Sequence, residues 1–423
     1  MDDRLARSRE TKELFASLPA KRVGALDRKY LDEVLEAGFH NSDKSGICGR
    51  FEKAFAEKFG VEFAIAHNSG TATMQTCLMA AGIGPGDEVI VPSLTMASTA
   101  LVAVQCYAVP VFADIDPRTF TIDPEDVRRK ITPHTRAIIP VSIYGLPPDM
   151  DPIMKLAREH NLFVIEDDAQ CFLGSYKGRL VGTIGHAASF SFQGSKHMTT
   201  GGEGGMVITN DPRLALGVRK ACALGYSALA ARPGEGTIPR EVRSDWEFKR
   251  HDSFGYNYRM PSPCAAVGLG QLARLDDMVK ARQACDALYR SVLAECDWII
   301  PQHVPDGYVH AAYTTVANLK EGSVDFRTFR KKFMSLGGEV LYGCWAPVHL
   351  EPVFRTMSFF GPAYRAPHFH PLYKGEVKSY QPGDCPVLEK MQPRFIQLKN
   401  GYTSWDKIVE QAEILGRTIA SFR

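Results

Sequence analysis

Short apolar runs and helix-like segments alternate through the first two-thirds of the chain, and this alternation restricts the fold more than any other feature. The predicted strands lie at 63–66, 88–91, 109–113, 137–142, 162–165, 187–192 and 205–209. Helical patterns between them lie at 71–81, 98–108, 124–130 and 151–159. A repeated strand–helix–strand order is typical of a mainly parallel sheet that helices cover on both faces. We therefore expect an α/β fold.

The C-terminal part has a different pattern, and at 423 residues the chain exceeds the usual length of one domain. A long helix is predicted over 262–290, and it leads into a mixture of strands and helices. These are strands at 313–318 and 339–343 and helices at 326–336 and 405–421. We expect a large domain over residues 1–260, which includes an N-terminal segment, and a smaller α+β domain over residues 261–423.

Charge and hydropathy argue against several classes of partner. The formal net charge is +2 and no long run of Lys and Arg occurs, which argues against nucleic acid or a membrane surface. No apolar stretch approaches the roughly 20 residues that span a bilayer. The polar N-terminus lacks the apolar centre of a signal peptide, so we expect a cytoplasmic protein. The 10 cysteines occur singly, without a CxxC pair, so we predict no metal site.

Two segments place small or acidic residues where a predicted strand ends. Residues 67–73 (HNSGTAT) lead from a strand into a helix, and small residues there let backbone N–H groups approach an anion. The same residues also fit ordinary helix capping. Residues 162–170 (LFVIEDDAQ) end a strand in three carboxylates at the edge of the sheet where ligands bind. Taken alone, these acids also fit a metal site or a helix cap.

Residues 189–205 contain a lysine between an apolar strand and a glycine-rich turn. Lys196 follows the strand at 187–192 and precedes the glycines of 201–205. Such a lysine is held by its backbone, and partial desolvation and cationic neighbours lower the pKa of a lysine in general, as a nucleophilic amine requires. Taken alone, the pattern also fits a surface lysine in a hairpin. A fourth segment, 255–260 (GYNYRM), lies just before the long predicted helix.

Together these segments resemble the StrS/DegT family of sugar aminotransferases, which are fold-type I pyridoxal-phosphate enzymes. The run from Ser191 to Gly205 is similar to the family's Ser-Phe-x-x-x-Lys…Thr-Thr-x-Glu-Gly-Gly signature, with one extra glycine at Gly201-Gly202. The resemblance covers residues 46–271 well and the C-terminal third more loosely. It implies a mainly parallel seven-stranded sheet between helices in the large domain.

The resemblance also implies roles for individual residues. Lys196 would hold the cofactor as a Schiff base and then move a proton, and Asp167 would keep the pyridine nitrogen protonated. Gln170 would lie beside the ring. Glu166 and Asp168 would be solvated acids or helix caps. The residues expected to hold the phosphate are Gly70, Thr71 and Ser191, with Asn257 from a neighbouring subunit.

Two positions depart from the family pattern. Met96 stands where relatives usually have an aromatic residue on the pyridine ring, which a polarizable thioether can also cover. Residues 344–349 (CWAPVH) are similar to the family's His-Tyr-x-Pro-hydrophobic-His segment near the substrate, with the first two residues replaced. From this segment we expect Trp345 and His349 to contact the substrate.

The expected function is amino transfer from glutamate or glutamine to a keto sugar, often nucleotide-linked, or to a keto-cyclitol. The expected assembly is a homodimer with shared active sites. One alternative is a keto-sugar dehydratase of the same family, in which a histidine replaces the Schiff-base lysine. Lys196 argues against it, although His197 is adjacent. The other alternative is a regulatory relative without turnover, against which Lys196, Asp167 and Gln170 argue together.

Overall fold

A seven-stranded sheet forms the centre of the computed structural model, which describes residues 2–38, 46–232, 235, 238–361, 366–377 and 379–422. Its strands are β1 (Phe63–His67), β2 (Glu88–Pro92), β3 (Val109–Ala113), β4 (Thr135–Ile138), β5 (Phe163–Asp167), β8 (Ala187–Ser191) and β9 (Gly205–Thr209). The shorter or separate strands are β6 (Ser175–Tyr176), β7 (Arg179–Leu180), β10 (Ile299–Pro301), β11 (Tyr308–Val309), β12 (Thr314–Leu319) and β13 (Phe395–Lys399).

The large sheet is mostly parallel. Its strands follow the order β1-β9-β8-β5-β4-β2-β3. The pairs from β3 through β2, β4 and β5 to β8 are parallel, while β9 is antiparallel to β8 and to β1. The prediction of an α/β fold with a mainly parallel sheet of seven strands is therefore confirmed.

Helices flank the sheet and continue to the C-terminus. Those of the first two-thirds are α1 (Asp3–Ala6), α2 (Arg9–Ser17), α3 (Ala25–Ala37), α4 (Ile47–Phe59), α5 (Gly70–Ala80), α6 (Ser98–Gln105), α7 (Pro124–Lys130), α8 (Met150–His160), α9 (Pro212–Cys222) and α10 (Arg240–Ser244). The later ones are α11 (Ser262–Leu272), α12 (Leu275–Leu293), α13 (Phe326–Ser335), α14 (Pro352–Arg355), α15 (Pro386–Met391) and α16 (Trp405–Ala420).

Alternate residues of the central strands supply two separate cores, one on each face of the sheet. Val89 and Val91 lie in the core that α5, α6 and α9 cover, whereas Ile90 lies in the core beneath α7 and α8. Successive side chains of a strand point to opposite faces, so a strand of consecutive apolar residues is buried on both. The carboxyl ends of the parallel strands remain at one edge, where ligands bind in folds of this class.

A third core lies on the three-stranded sheet β10-β12-β13. Helices α12, α13 and α16 contribute most of its apolar side chains, and Ala6 and Phe15 from the N-terminal helices pack there too. The indole of Trp405 donates a 3.0 Å hydrogen bond to the carbonyl of Ala6. The N-terminal segment is therefore packed against elements from the C-terminal third.

Two predicted elements differ in the structure. The predicted helix over 262–290 is two helices, because α11 ends at Leu272 and α12 begins at Leu275. The predicted strand over 339–343 is wrong: its contact with a strand is the isolated bridge between Tyr342 and Gln397. The backbone of this segment is bound by a side chain instead of a neighbouring strand at Glu339, whose N–H donates a 2.8 Å hydrogen bond to Gln411 Oε1.

The part of the chain that the structure describes contains neither a candidate membrane span nor a candidate metal centre. Within the described ranges, no helix combines the length and the apolar composition needed to cross a bilayer. Among the same residues, no three His, Cys, Asp or Glu side chains lie where they could hold a metal ion together.

Candidate active site

A cavity of about 450 Å³ opens at the carboxyl ends of the parallel strands. Asp167 is the last residue of β5 and Ser191 is the last residue of β8, so the fold brings both strand ends to the same place. The cavity is lined by eight of the predicted site residues, namely Gly70, Thr71, Met96, Asp167, Gln170, Ser191, Lys196 and Trp345.

Asp167 is held by hydrogen bonds to both of its carboxylate oxygens. Thr99 Oγ1 donates to Oδ2 at 2.9 Å, and the N–H of Ala169 donates to Oδ1 at 3.2 Å. Burial raises the pKa of Asp167, while these two bonds and the charge of Lys196 lower it. A buried carboxylate of this kind is poised to face a cation in the cavity, because an opposite charge would stabilise its ionised form.

Lys196 is half-buried, and its ammonium group lies over an aromatic ring. Its Nζ is 4.9 Å from the centroid of the Tyr313 ring. The hydroxyl of Tyr313 lies 2.9 Å from Ser195 Oγ, so Tyr313 packs along the loop that carries the lysine. Tyr313 lines the cavity but was not predicted to do so. It lies just before β12, 117 positions after Lys196, and no feature of the local sequence links it to the lysine.

The N-terminus of α5 approaches β8 so closely that only glycine fits. A Cβ placed on Gly70 would lie 2.7 Å from the Cβ of Ser191. Ser69 caps the helix, accepting a 3.2 Å hydrogen bond from the N–H of Ala72. The first N–H groups of a helix have no partner within it and favour an anion. Gly70, Thr71 and Ser191 thus form a small cradle suited to a phosphate.

Gln170 is fixed by the backbone of a neighbouring turn. Its Oε1 accepts a 2.8 Å hydrogen bond from the N–H of Tyr144, and its side chain is buried. Tyr144 has φ 62°, a left-handed conformation that residues with a Cβ rarely adopt. The amide oxygen of Gln170 is therefore engaged by the backbone, and its NH₂ group remains available to donate a hydrogen bond to a ligand in the cavity.

Met96 and Trp345 are the large exposed apolar side chains of the cavity. Met96 is 54% exposed and Trp345 is 44% exposed. Trp345 is tethered through its carbonyl, which accepts a 3.3 Å hydrogen bond from Gln392 Nε2. Apolar surface left open beside buried polar groups is typical of a binding site.

The model of the DegT/DnrJ/EryC1/StrS aminotransferase family matches residues 22–363. The chain belongs to this family. Membership makes it an aminotransferase that uses pyridoxal phosphate.

Three relatives illustrate the range of this family. GDP-perosamine synthase of Caulobacter vibrioides is 39% identical over 343 residues, which cover 81% of this chain and 87% of that protein. L-glutamine:2-deoxy-scyllo-inosose aminotransferase of Streptomyces lividus is 37% identical over 317 residues, covering 75% of this chain and 72% of that protein. The X-ray structure of the aminotransferase from Psychrobacter cryohalolentis has a TM-score of 0.81 and 29% identity, covering 96% of this chain and 99% of that one.

The residues of the cavity fit the family's cofactor. The cradle at Gly70 and Ser191 offers close backbone approach to a phosphate. Asp167 offers a buried carboxylate to a protonated ring nitrogen, and Lys196 offers an amine within electrostatic range of Asp167. The donor set is thus complementary to each charged part of pyridoxal phosphate.

His349 lies outside the cavity lining and is fully buried. Its Nδ1 is 2.6 Å from Ser93 Oγ and its Nε2 is 2.9 Å from Glu389 Oε1. Ser93 directly follows β2 and lies two residues before Thr95, which lines the cavity. His349 therefore connects the segment of Trp345 to the end of β2.

Asn257 lies on the surface, also outside the lining of this chain's cavity. Its backbone pairs with Ala223 in an isolated antiparallel bridge. Asn257 does not cap the following helix, because Pro261 is the N-cap of α11 and no side-chain hydrogen bond caps that helix.

Glu166 and Asp168 are not solvated acids, and neither caps a helix, contrary to expectation. Both are buried. Glu166 accepts hydrogen bonds from the backbone N–H groups of Gly182, Ile184 and Gly185, at 3.0, 2.7 and 2.6 Å. Asp168 Oδ1 accepts a 2.6 Å bond from Ser142 Oγ. Alternation along β5 and the turn after it directs these two acids into the protein, and directs Asp167 into the cavity.

Proposed function

We propose that this aminotransferase moves an amino group from glutamate or glutamine to the ketone of a sugar or cyclitol, as a cytoplasmic homodimer. The observation that carries the proposal is the cavity that joins Lys196, Asp167 and the cradle at Gly70 and Ser191. Its relatives support the acceptor class, since one makes GDP-perosamine and another aminates 2-deoxy-scyllo-inosose.

Six of the lining residues would hold the cofactor, which when bound supplies an electron sink for the substrate carbon. Asp167 would keep a proton on the ring nitrogen through its buried carboxylate. The NH₂ group of Gln170 would donate to the phenolic oxygen, and Met96 would cover a ring face. Gly70, Thr71 and Ser191 would hold the phosphate.

Lys196 has two roles in this proposal, covalent attachment of the cofactor and proton transfer. Its amine would hold the cofactor, and when free it would move a proton at the substrate carbon. Two half-reactions at one site imply ping-pong kinetics. His197 does not compete for this position, because it is buried and its Nε2 lies 2.8 Å from the carbonyl of Ala311. That geometry favours amino transfer over the dehydratase alternative.

The acceptor is proposed to contact Trp345, whose partly exposed side chain lines the same cavity as Met96. An aromatic face offers an apolar surface to the C–H side of a sugar ring, while Ser195 and Gln193 can bind hydroxyl groups. The predicted substrate contact of His349 becomes an indirect one in this proposal. His349 supports the segment of Trp345 through Ser93 and Glu389.

The proposed homodimer shares its active sites. Asn257 is exposed beside the aromatic side chains of Phe254, Tyr256 and Tyr258, of which Phe254 is 72% exposed. A two-fold interface on this segment would bring the same residues of each subunit to the other. Asn257 would then donate to the phosphate bound in the partner's cavity.

An absorbance experiment tests the proposed function. Purified protein with pyridoxal phosphate should show the band of a lysine-bound cofactor, and glutamate or glutamine should remove it by amino transfer. Borohydride reduction followed by peptide mapping should place the adduct on Lys196, and Lys196→Ala should give none. A spectrum that no amino donor changes would refute the transaminase activity, whereas an adduct at another lysine would refute the site.

A further inference from the structure

We propose that Arg22 and Arg282 are positioning residues for Lys196, which bind the backbone of its loop and so set where its amine meets the cofactor. The inference rests on the proposed role of Lys196 and extends it to two residues far apart in the sequence. Neither arginine was singled out by the sequence pattern.

Arg22 binds three carbonyl groups of the lysine loop. Its Nη1 donates to the carbonyl of Gly194. Its Nη2 donates to the carbonyl of Lys196 at 2.7 Å and to that of His197 at 3.1 Å. One guanidinium therefore spans the residues on both sides of the lysine.

Arg282 binds the same loop and adds a contact with Tyr313. Its Nη2 donates to the carbonyl of Ser195 at 2.9 Å and to that of Lys196 at 3.2 Å. Its Nη1 donates to the carbonyl of Tyr313 at 2.8 Å. The Lys196 carbonyl thus accepts from both arginines, and the ring beneath the Lys196 amine is held by one of them.

These contacts require arginine rather than any cation. A guanidinium is a planar fork with five N–H donors, whereas an ammonium is a compact point charge. Burial, followed by repulsion from Arg22, lowers the pKa of Arg282 to about 10. Arg282 therefore remains charged at neutral pH, although placing its charge close to that of Arg22 is unfavourable. Four consecutive carbonyls, those of residues 194–197, offset that cost.

Arg22 is itself held in an uncommon backbone conformation. Its φ is 60°, in the left-handed region, where a residue with a Cβ is strained. Its carbonyl accepts a 2.6 Å bond from Gln271 Nε2 and a 2.9 Å bond from Arg274 Nη2. Arg274 also pairs with buried Asp27. Strain that neighbouring groups maintain in this way is typical of functional positions.

Hydrogen bonds from the two arginines to the loop backbone suit the proposed role of Lys196. Its amine has to carry the cofactor, leave it and then move a proton at a neighbouring carbon, so the side chain must swing while its Cα stays in place. Arg22 and Arg282 bind carbonyl groups of the loop and leave the amine over Tyr313. Loss of either arginine should therefore misplace the amine without removing it.

The test compares Arg22→Gln and Arg22→Lys with a matched control, Arg219→Gln. Arg219 is a partly buried arginine whose partners are Glu52, Ala64 and Ala231 rather than the lysine loop. Apoenzyme of each variant is mixed with pyridoxal phosphate, and the borohydride-reducible adduct at Lys196 is followed with time. Hydrogen exchange over residues 193–204 and the pH midpoint of the bound-cofactor band are measured on the same samples.

We expect Arg22→Gln to slow adduct formation at least about tenfold, since several charged hydrogen bonds are lost. Exchange over residues 193–204 should rise and the pH midpoint should move. Arg22→Lys should recover only part of the rate, and Arg219→Gln should leave all three readouts unchanged even if it lowers Tm. Arg282→Lys serves as the second variant if Arg22→Gln does not fold.

Three results would overturn the proposal, and they differ in what they leave standing. Wild-type rate, exchange and pH midpoint in Arg22→Gln and in Arg282→Lys would remove the positioning role and leave Lys196 as the cofactor lysine. Equal slowing in Arg219→Gln would likewise assign the effect to general destabilisation. Absence of any adduct at Lys196 in the wild-type protein would instead refute the proposed function, and the positioning role with it.

Discussion

Thr99 donates a 2.9 Å hydrogen bond to Oδ2 of Asp167, and both side chains are buried. Thr99 is the second residue of α6, whereas Asp167 ends β5. Thr99 Oγ1 also lies 2.8 Å from Thr95 Oγ1. An ionised carboxylate can only accept a hydrogen bond, so the single hydroxyl proton of Thr99 is donated to Asp167. The hydroxyl of Thr99 must then accept a hydrogen bond from Thr95. Two threonines thus orient the carboxylate on which the proposed function depends.

Replacing Thr99 with Val should shift the pH dependence of the enzyme. The Thr99 bond lowers the pKa of Asp167, which burial raises, so losing the bond raises that pKa further. The proposed role of Asp167 requires its charged form, so the loss of kcat/KM in acid should begin at a higher pH. A charged hydrogen bond is worth about 1.5–3 kcal/mol, and we expect at least about a tenfold loss of rate. Thr99→Ser, which keeps the hydroxyl, should keep the wild-type pH dependence of kcat/KM. If kcat/KM of Thr99→Val falls in acid at the same pH as that of the wild type, Thr99 does not control the ionisation of Asp167.

Asp167 and the adjacent Asp168 should respond differently to the same change. Asp167→Asn removes the charge that faces the cavity, and we expect a loss of about 10²–10³ in kcat, as for other preorganised electrostatic groups. Burial raises the pKa of Asp168 well above its usual range, so an uncharged amide is a close substitute there. Asp168→Asn should retain most activity in steady-state assays. The reverse pattern would assign the ring nitrogen to Asp168.

Strand and helix patterns predicted where the strand ends of the site meet, and the family resemblance predicted the roles of the residues there. Asp167 and Ser191 close apolar strands, and Gly70 opens the helix after another, so the topology alone brings them to one edge of the sheet. The same logic could not find Thr99 or Tyr313, whose roles depend on tertiary contacts. The residue roles and the division of the chain at residue 260 stay predictions.

The errors have tertiary causes as well. The apolar pattern runs without interruption through 262–290, but Arg274 at the break binds the carbonyl of Arg22, 252 positions earlier. The order of acids after a strand likewise does not show that Glu166 is bound by three backbone N–H groups from a later loop. Periodicity reports which face is apolar and does not report such long-range hydrogen bonds.

Substituting Ala for Gly70 should weaken cofactor binding. The added Cβ would lie 2.7 Å from the Cβ of Ser191, so α5 and β8 must separate and the phosphate cradle opens. Overpacking of this kind costs about 1–3 kcal/mol, and we expect the Kd for pyridoxal phosphate to rise about tenfold or more. Gly416→Ala is the control, since its Cβ would meet Val292 at an ordinary 3.8 Å. Equal affinity in Gly70→Ala and wild type would place the phosphate elsewhere.

An aromatic residue at position 96 should be tolerated. Met96 is 54% exposed and lines the cavity, so a larger side chain can enter without displacing a core. In Met96→Phe or Met96→Trp a flat ring can stack on the cofactor at lower entropic cost than a flexible thioether. Titration of apoenzyme should show equal or tighter binding. Loss of the cofactor in both variants would show that Met96 does not face the ring.

The shared-site proposal makes a quantitative prediction for mixed dimers. Lys196 lines the cavity of its own chain, whereas Asn257 is exposed and outside that lining. If Asn257 serves the partner's site, a dimer of Lys196→Ala and Asn257→Ala chains has one site with both residues intact and one with neither. Half of randomly exchanged dimers are mixed and each has one intact site of two. Activity should therefore recover to roughly a quarter of wild type.

The mixing experiment requires that each parent variant be nearly inactive and that exchange be proven, for example by native mass spectrometry of chains with different tags. Recovery should rise as exchange proceeds and stop near that quarter. Mixing Lys196→Ala with Asp167→Asn is the control, because both residues line the same chain's cavity: every mixed dimer then keeps two damaged sites and activity should not recover. Proven exchange without recovery for Lys196→Ala and Asn257→Ala would place Asn257 outside the partner's site and leave the chemistry of Lys196 intact.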